Sequence, residues 1–236
     1  MTVRWIAGAG TALTLALLVW GDLATATSRA MPQDGFVPLF NGENLDGWTQ
    51  RGGKARYHVQ NREIVGSSVP NTPNSFLCTT KDYGNFILEL EFKVDSGLNS
   101  GIQIRSQCFD EPRTIELGGK TYKIPAGRVH GYQVEIDPSE RAWSGGIYDE
   151  GRRGWLNDLK NNEPARKAFR PGEWNMYRVE CRGDSIKTFL NGVPAADLKD
   201  SVTLKGFIAL QVHGVGNRQE PLEVRWRNIR IQELRD

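Results

Sequence analysis

The sequence predicts an all-β sandwich or jelly roll, and three observations carry that fold class. Short stretches alternate apolar and polar residues with a period of two, as half-buried strands do. Glycine-rich turns separate these stretches at roughly regular spacing. Helix signals are confined to two short segments, Trp155 to Lys160 and Ala165 to Phe169, bounded by Pro164 and Pro171.

Taken in order, the 236 residues begin with an export signal. Arg4 supplies a basic start, Ile6 to Trp20 is uncharged and mostly apolar, and Ala24-Thr25-Ala26 has the small-residue pattern of a cleavage site. The apolar run is short of the about 20 residues that a membrane-spanning helix needs, so no stable membrane span is expected after cleavage. Residues 1–26 thus read as signal peptide and 27–236 as one jelly-roll domain, exported to the periplasm or beyond. Residues 34–48 mix Phe36, Leu39, Phe40, Leu45 and Trp48 with turn formers, the composition of an ordered loop. Residues 57–67 hold two β segments around Asn61-Arg62. In residues 85–94, Phe86, Leu88, Leu90, Phe92 and Val94 face one side and Glu89, Glu91 and Lys93 a solvated other side. Residues 100–106 repeat the alternation, as does "GYQVEIDP" at 131–138. Residues 176–193 read as a hairpin turned at Arg182 to Asp184, followed by an Asn191-Gly192 turn. Residues 206–214 and 222–234 supply the last two strands, the second with a bulge near Asn228 where the apolar phase shifts. Trp48, Trp174 and Trp226 are read as core.

Composition narrows the function. A formal net charge of +2, with no dense Lys/Arg run, lacks the basic face that nucleic acid requires. Three cysteines, Cys78, Cys108 and Cys181, permit at most one disulfide and leave a thiol over, so the core must hold by apolar packing. There is no H-E-x-x-H, no G-x-S-x-G, no P-loop and no paired C-x-x-C. Three scattered histidines, His58, His130 and His213, speak against a His-rich metal centre.

What remains is polar rows on strands. Gln103 and Arg105 share a face by alternation, as do Gln133, Glu135 and Asp137, and as do Gln211 and His213. Aligned on one sheet, these rows gather a base, a cation, an imidazole and several amides. Trp143, Tyr148 and Trp155 follow in a glycine-rich loop. Amides and carboxylates bind hydroxyls, an aromatic ring packs on the C–H face of a pyranose, and a guanidinium polarises a carbonyl or oxyanion, so the set suits a sugar. The outward face of an antiparallel strand is ordinarily polar, however, so the same rows read equally as wetted surface, His213 as a structural histidine and Arg105 as an ion-pair partner of Glu135.

Together, "LFNGENLDGW", "NSGIQIRS", "GYQVEIDP" with "GGIYDEGRRGWL", "GEWNMYRVECRGDSIKTFLNG" and "GFIALQVHG" with "VRWRNIRIQEL" resemble the bacterial 3-keto-disaccharide hydrolase domain family, from about Phe36 to Leu234. The resemblance implies a concanavalin A-like jelly roll of two antiparallel sheets and cleavage of a glycoside oxidised at C3. A C3 ketone acidifies the C2–H; a base removes that proton, the oxygen at C1 leaves by β-elimination, and water adds to the enone. The resemblance implies catalytic roles for Glu135 as base or acid/base, Arg105 on the enolate oxygen and His213 as acid, donor or metal ligand. Gln103, Gln133, Asp137, Trp143, Tyr148 and Gln211 would bind the sugar. The family pattern carries Glu at the position of Gln133 and Gln at that of Glu135. The order is reversed here, and the proton transfer falls to either position. No cofactor is certain; a divalent metal on Glu135, Asp137 and His213 is an open expectation. The alternative to an enzyme is a non-catalytic carbohydrate-binding module, because this fold class hosts lectins as readily as hydrolases.

Overall fold

The computed structural model describes residues 1–2 and 35–235. The export signal expected over residues 1–26 lies, but for its first two residues, outside them. Seventeen strands and one helix follow: β1 (Val37–Pro38), β2 (Trp48–Gly52), β3 (Arg56–Gln60), β4 (Glu63–Ser67), β5 (Ser75–Tyr83), β6 (Phe86–Val94), β7 (Ser100–Cys108), β8 (Arg113–Leu117), β9 (Lys120–Ile124), β10 (Val129–Ile136), β11 (Ile147–Glu150), β12 (Gly154–Asn157), α1 (Glu163–Ala168), β13 (Asn175–Arg182), β14 (Ser185–Leu190), β15 (Val193–Lys199), β16 (Gly206–Val212) and β17 (Glu223–Glu233). They form two large antiparallel sheets. The back sheet runs β15-β14-β13-β6-β17-β4-β3, with β1 also on β17; the front sheet runs β12-β11-β10-β7-β16-β5-β2; β8 and β9 pair as a separate hairpin.

One apolar core fills the space between the sheets. Leu88, Leu90 and Phe92 of β6, Tyr177 and Val179 of β13, and Trp226 and Ile231 of β17 pack against Ile102 and Ile104 of β7, Tyr132, Val134 and Ile136 of β10, and Ile208 and Leu210 of β16. Because alternate side chains point to opposite faces, that packing sends Gln103, Gln133, Glu135 and Gln211 to the outer face of the front sheet. All four are nonetheless buried. Two tyrosines tie the core to the front-sheet backbone. Tyr177 Oη donates to the carbonyl of Glu135, and Tyr57 Oη donates to the carbonyls of Ser75 and Leu210 at 2.9 and 3.0 Å. On the outer face of the back sheet, the expected solvated row of Glu89 and Glu91 is an ion-pair lattice. Glu89 joins Arg178 and Arg230, each at 2.6 Å, and Glu91 joins Arg227 at 2.7 Å.

Most strands lie where alternation puts them, including the bulge at Asn228, where φ is +52° and the β17–β6 register shifts. Trp155 to Lys160 is not helical: Trp155 lies on β12 opposite Tyr148 of β11, an edge pairing that commits the start of the segment to the sheet. The second helix signal is met by α1, where Asn162 caps by accepting from the Ala165 amide at 3.2 Å and a proline occupies the first turn. Trp174 is half-buried, with the Arg227 guanidinium 3.9 Å above its ring, and so lies outside the core. All three cysteines are free thiols. Among the described residues no helix is long and apolar enough to cross a membrane.

Candidate active site

The outer face of the front sheet is floored by a chain of amides that ends on one carboxylate. Gln133 Oε1 accepts from Gln103 Nε2 at 2.6 Å and from Gln211 Nε2 at 2.9 Å. With its oxygen so occupied, its amide nitrogen must turn the other way, and it donates to Glu135 Oε2 at 2.8 Å. Gln103 is oriented in turn by Ser106, whose hydroxyl donates to Gln103 Oε1 at 2.7 Å. Gly101 lies opposite Glu135 in the β10–β7 ladder and makes room: a Cβ there would stand 2.5 Å from the Gln133 amide carbon. Asn99 Nδ2 donates to the other oxygen, Glu135 Oε1, at 2.6 Å. Glu135 is 5% exposed. Burial pushes its pKa up to about 7, the two amide donors pull it down without prevailing, and the neighbouring charge of Asp137 adds to the rise.

Asp137 follows at the end of β10 and has a different task. Its Oδ1 accepts from the backbone amide and hydroxyl of Ser139, and its Oδ2 from Arg141 Nε at 2.7 Å and the Trp143 amide at 3.1 Å. Burial alone would raise this carboxyl, but those donors hold it below the usual carboxylate range. Asp137 therefore shapes the 138–144 loop and aims Arg141. The guanidinium of Arg141 lies 4.8 Å from the ring centre of Trp143 and 5.1 Å from that of Trp155, and its Nη2 comes within 3.6 Å of Glu135 Oε1. Its side chain is 42% exposed, which leaves the cation available to a ligand.

These groups surround a hollow of about 400 Å³ lined by Asn99, Gln133, Glu135, Arg141, Tyr148, Glu150, Trp155 and His213. Tyr148 and Trp155 form one wall with their rings at 5.3 Å, edge to face. Exposed His213 stands at the mouth, its Nδ1 2.8 Å from the Gly214 carbonyl. Glu150 is buried and paired with Arg128 Nη2 at 2.5 Å. Burial raises its pKa, and Arg128 and then His213 oppose the rise.

The structure thus brings Glu135, Gln133, Tyr148 and His213 to one hollow. Gln103, Gln211, Asp137 and Trp143 stand one layer behind it. Arg105 is not there. Between Gln103 and Ser106 the β7 strand carries one residue more than β16 opposite, and Arg105 sits at φ +47° in this bulge. The extra residue inverts the alternation, so the side chain turns away from the outer face. It is fully buried and donates to the carbonyls of Gly84 (2.8 Å) and Gly183 (2.7 Å) and to Asn85 Oδ1 (3.3 Å). The cation beside Glu135 is Arg141 instead. Asn99, Arg141 and Glu150 were missed from sequence. Reading residues 147–150 as a strand would have put Glu150 on the face of Tyr148, two residues away. Of the expected metal ligands, Glu135 and Asp137 have both oxygens on N–H and O–H donors, and among the described residues no group of three or more His, Cys, Asp or Glu is placed to hold an ion.

Residues 35–232 match the family described as 3-keto-alpha-glucoside-1,2-lyase-like domain. No curated protein matches the sequence. Among solved structures, a candidate glycosyl hydrolase from Parabacteroides distasonis is similar at a TM-score of 0.55 and 19% identity, covering 86% of this chain and 95% of that one. The carbohydrate-binding module CBM66 from Bacillus subtilis is similar at 0.54 and 16% identity, covering 79% and 96%. A Bacillus subtilis protein of unknown function with a galectin-like fold is similar at 0.57 and 12% identity, covering 84% and 94%. At these identities the structural likeness speaks to the fold, a galectin-like jelly roll.

Proposed function

The chain belongs to the 3-keto-alpha-glucoside-1,2-lyase-like domain family, and from that premise we propose that it cleaves glycosides oxidised at C3. Glu135 takes the C2 proton, made acidic by the neighbouring ketone. The electron pair moves into an enolate whose oxygen meets the Arg141 guanidinium. The C1–O bond then breaks, its electron pair leaving on the aglycone oxygen, which takes a proton from His213 or from protonated Glu135. Water adds at C1 of the enone and C2 regains a proton, so the net change is one water consumed and one alcohol released. The observation that carries this reading is Glu135 itself, a buried carboxyl at about 7 beside a half-exposed cation. A general base works best with a pKa near the operating pH.

The amide floor and the Tyr148–Trp155 wall would equally serve a non-catalytic carbohydrate-binding module, which needs hydroxyl partners and a ring platform but no titrating carboxylate. Incubation with 3-keto-trehalose, 3-keto-lactose and their unoxidised parents, with and without chelator, separates the two. Release of glucose from the oxidised sugars alone supports the enzyme; binding of either set without turnover supports the module. The chelator arm tests the divalent metal. Export completes the proposal and is checked by sequencing the N-terminus of the mature protein, which should begin near Thr27.

A further inference from the structure

The carboxylates around the hollow differ in how their oxygens are used. Both oxygens of Glu135 accept amide hydrogens, and both oxygens of Asp137 are taken by its own loop. Glu150 has one oxygen on Arg128, and among the described residues its second oxygen accepts no hydrogen bond. Yet Glu150 is only 6% exposed, and it lines the hollow. That oxygen is not one of the fully buried unpartnered atoms, so it is open to the hollow and takes its hydrogen from whatever fills it.

Its position says what that donor is. Glu150 lies opposite Gly131 in the β10–β11 ladder, and Glu135 is four residues further along β10. The two positions are therefore offset by about 14 Å along the strands at about 3.4 Å per residue, so that a hexopyranose can lie between the two side chains. Tyr148 lies between them, and after burial the charges of Glu150 and Glu135 are the next causes of its raised pKa.

We propose that Glu150, oriented by Arg128, is the specificity-determining acceptor of the hollow, taking a hydroxyl from the C4–C6 edge of a neutral hexopyranose whose C2 lies at Glu135. The orientation of the ring rests on the cleavage reading above; the hydroxyl acceptor does not. A carboxylate at this end accepts O–H and repels a sugar acid, so a uronate is excluded.

The test is calorimetric titration of the full chain with methyl α-glucoside, its 4-deoxy and 6-deoxy analogues and methyl α-glucuronide. Wild type should bind the parent, lose about tenfold or more in affinity for one of the deoxy analogues, and bind the glucuronide more weakly still. Glu150→Gln should bring the parent down to the level of that analogue and narrow the gap to the glucuronide. The proposal is overturned if wild type binds none of the glycosides, binds parent and both deoxy analogues alike, or accepts the glucuronide. It is equally overturned if Glu150→Gln keeps the discrimination. Should the variant misfold, the wild-type ladder still decides. Parallel turnover of a 3-keto-glucoside keeps the two proposals apart: discrimination without turnover rejects cleavage alone, and turnover without discrimination rejects the Glu150 acceptor alone.

Discussion

Glu135 is buried by its neighbours yet, in the proposed cleavage, would have to ionise, and its surroundings serve both demands. Burial favours the neutral acid, while Asn99 and Gln133 each offer a hydrogen bond that favours the carboxylate. Replacing it by Gln keeps the shape and removes the base, so turnover of a 3-keto-glucoside should fall by about 10²- to 10⁴-fold, while binding of the unoxidised glycoside is largely retained. The same residue sets a pH profile. Activity that needs the ionised form should rise with pH through about 7 and be lost below it; a kcat/KM profile that is flat from pH 5 to 8 would reject Glu135 as the base. His130 gives a second pH effect, on stability. It is buried, neither ring nitrogen has a partner, and burial followed by the charge of Arg152 lowers its pKa to about 4. Between about 4 and the ordinary value of 6.5, the unfolded chain takes up a proton that the folded one refuses. Stability is therefore lost as pH falls from 6.5 toward 4. Urea melts of His130→Leu at pH 7 and pH 5 should show a smaller acid loss than wild type.

At the scale of the element, the β7 bulge decides what Arg105 does. Its guanidinium ties the strand to the Gly84-Asn85 turn and to Gly183 in the β13–β14 turn. Arg105→Met should destabilise the fold by about 2–4 kcal/mol, as loss of hydrogen bonds from a buried charged group does, while the folded fraction keeps its KM. Loss of turnover at unchanged stability would instead return Arg105 to the chemistry. The bulge also marks where sequence reading ends. Strands such as β6 were legible because one face meets the core and the other meets water or ion pairs. The first five residues of β5 are buried on both faces, leaving no alternation to read, and β8 and β9 pair only with each other and are mostly exposed, so no core face marks them. The Gln133–Glu135 row was legible from β10 alone. Its partners Asn99, Arg141 and Glu150 come from a turn, a loop and an unread strand, and only the folded chain brings them to that row.

At the scale of the whole molecule, no disulfide joins the two sheets. Cys78 and Cys181 are buried, with burial raising each thiol to about 12, and no cysteine is bonded to another. A reductant should therefore leave the melting temperature unchanged even for protein recovered from an oxidising compartment; a clear drop would reveal a disulfide. The order of strands in the back sheet carries one more consequence. β17, the last strand of the chain, lies between β6 and β4 and also receives β1. The first and fourth strands of the described fold thus dock onto the last, and their pairing must wait until Glu223 to Glu233 has been made. Folding of this domain is for that reason dominated by distant pairings, and distant pairings form slowly.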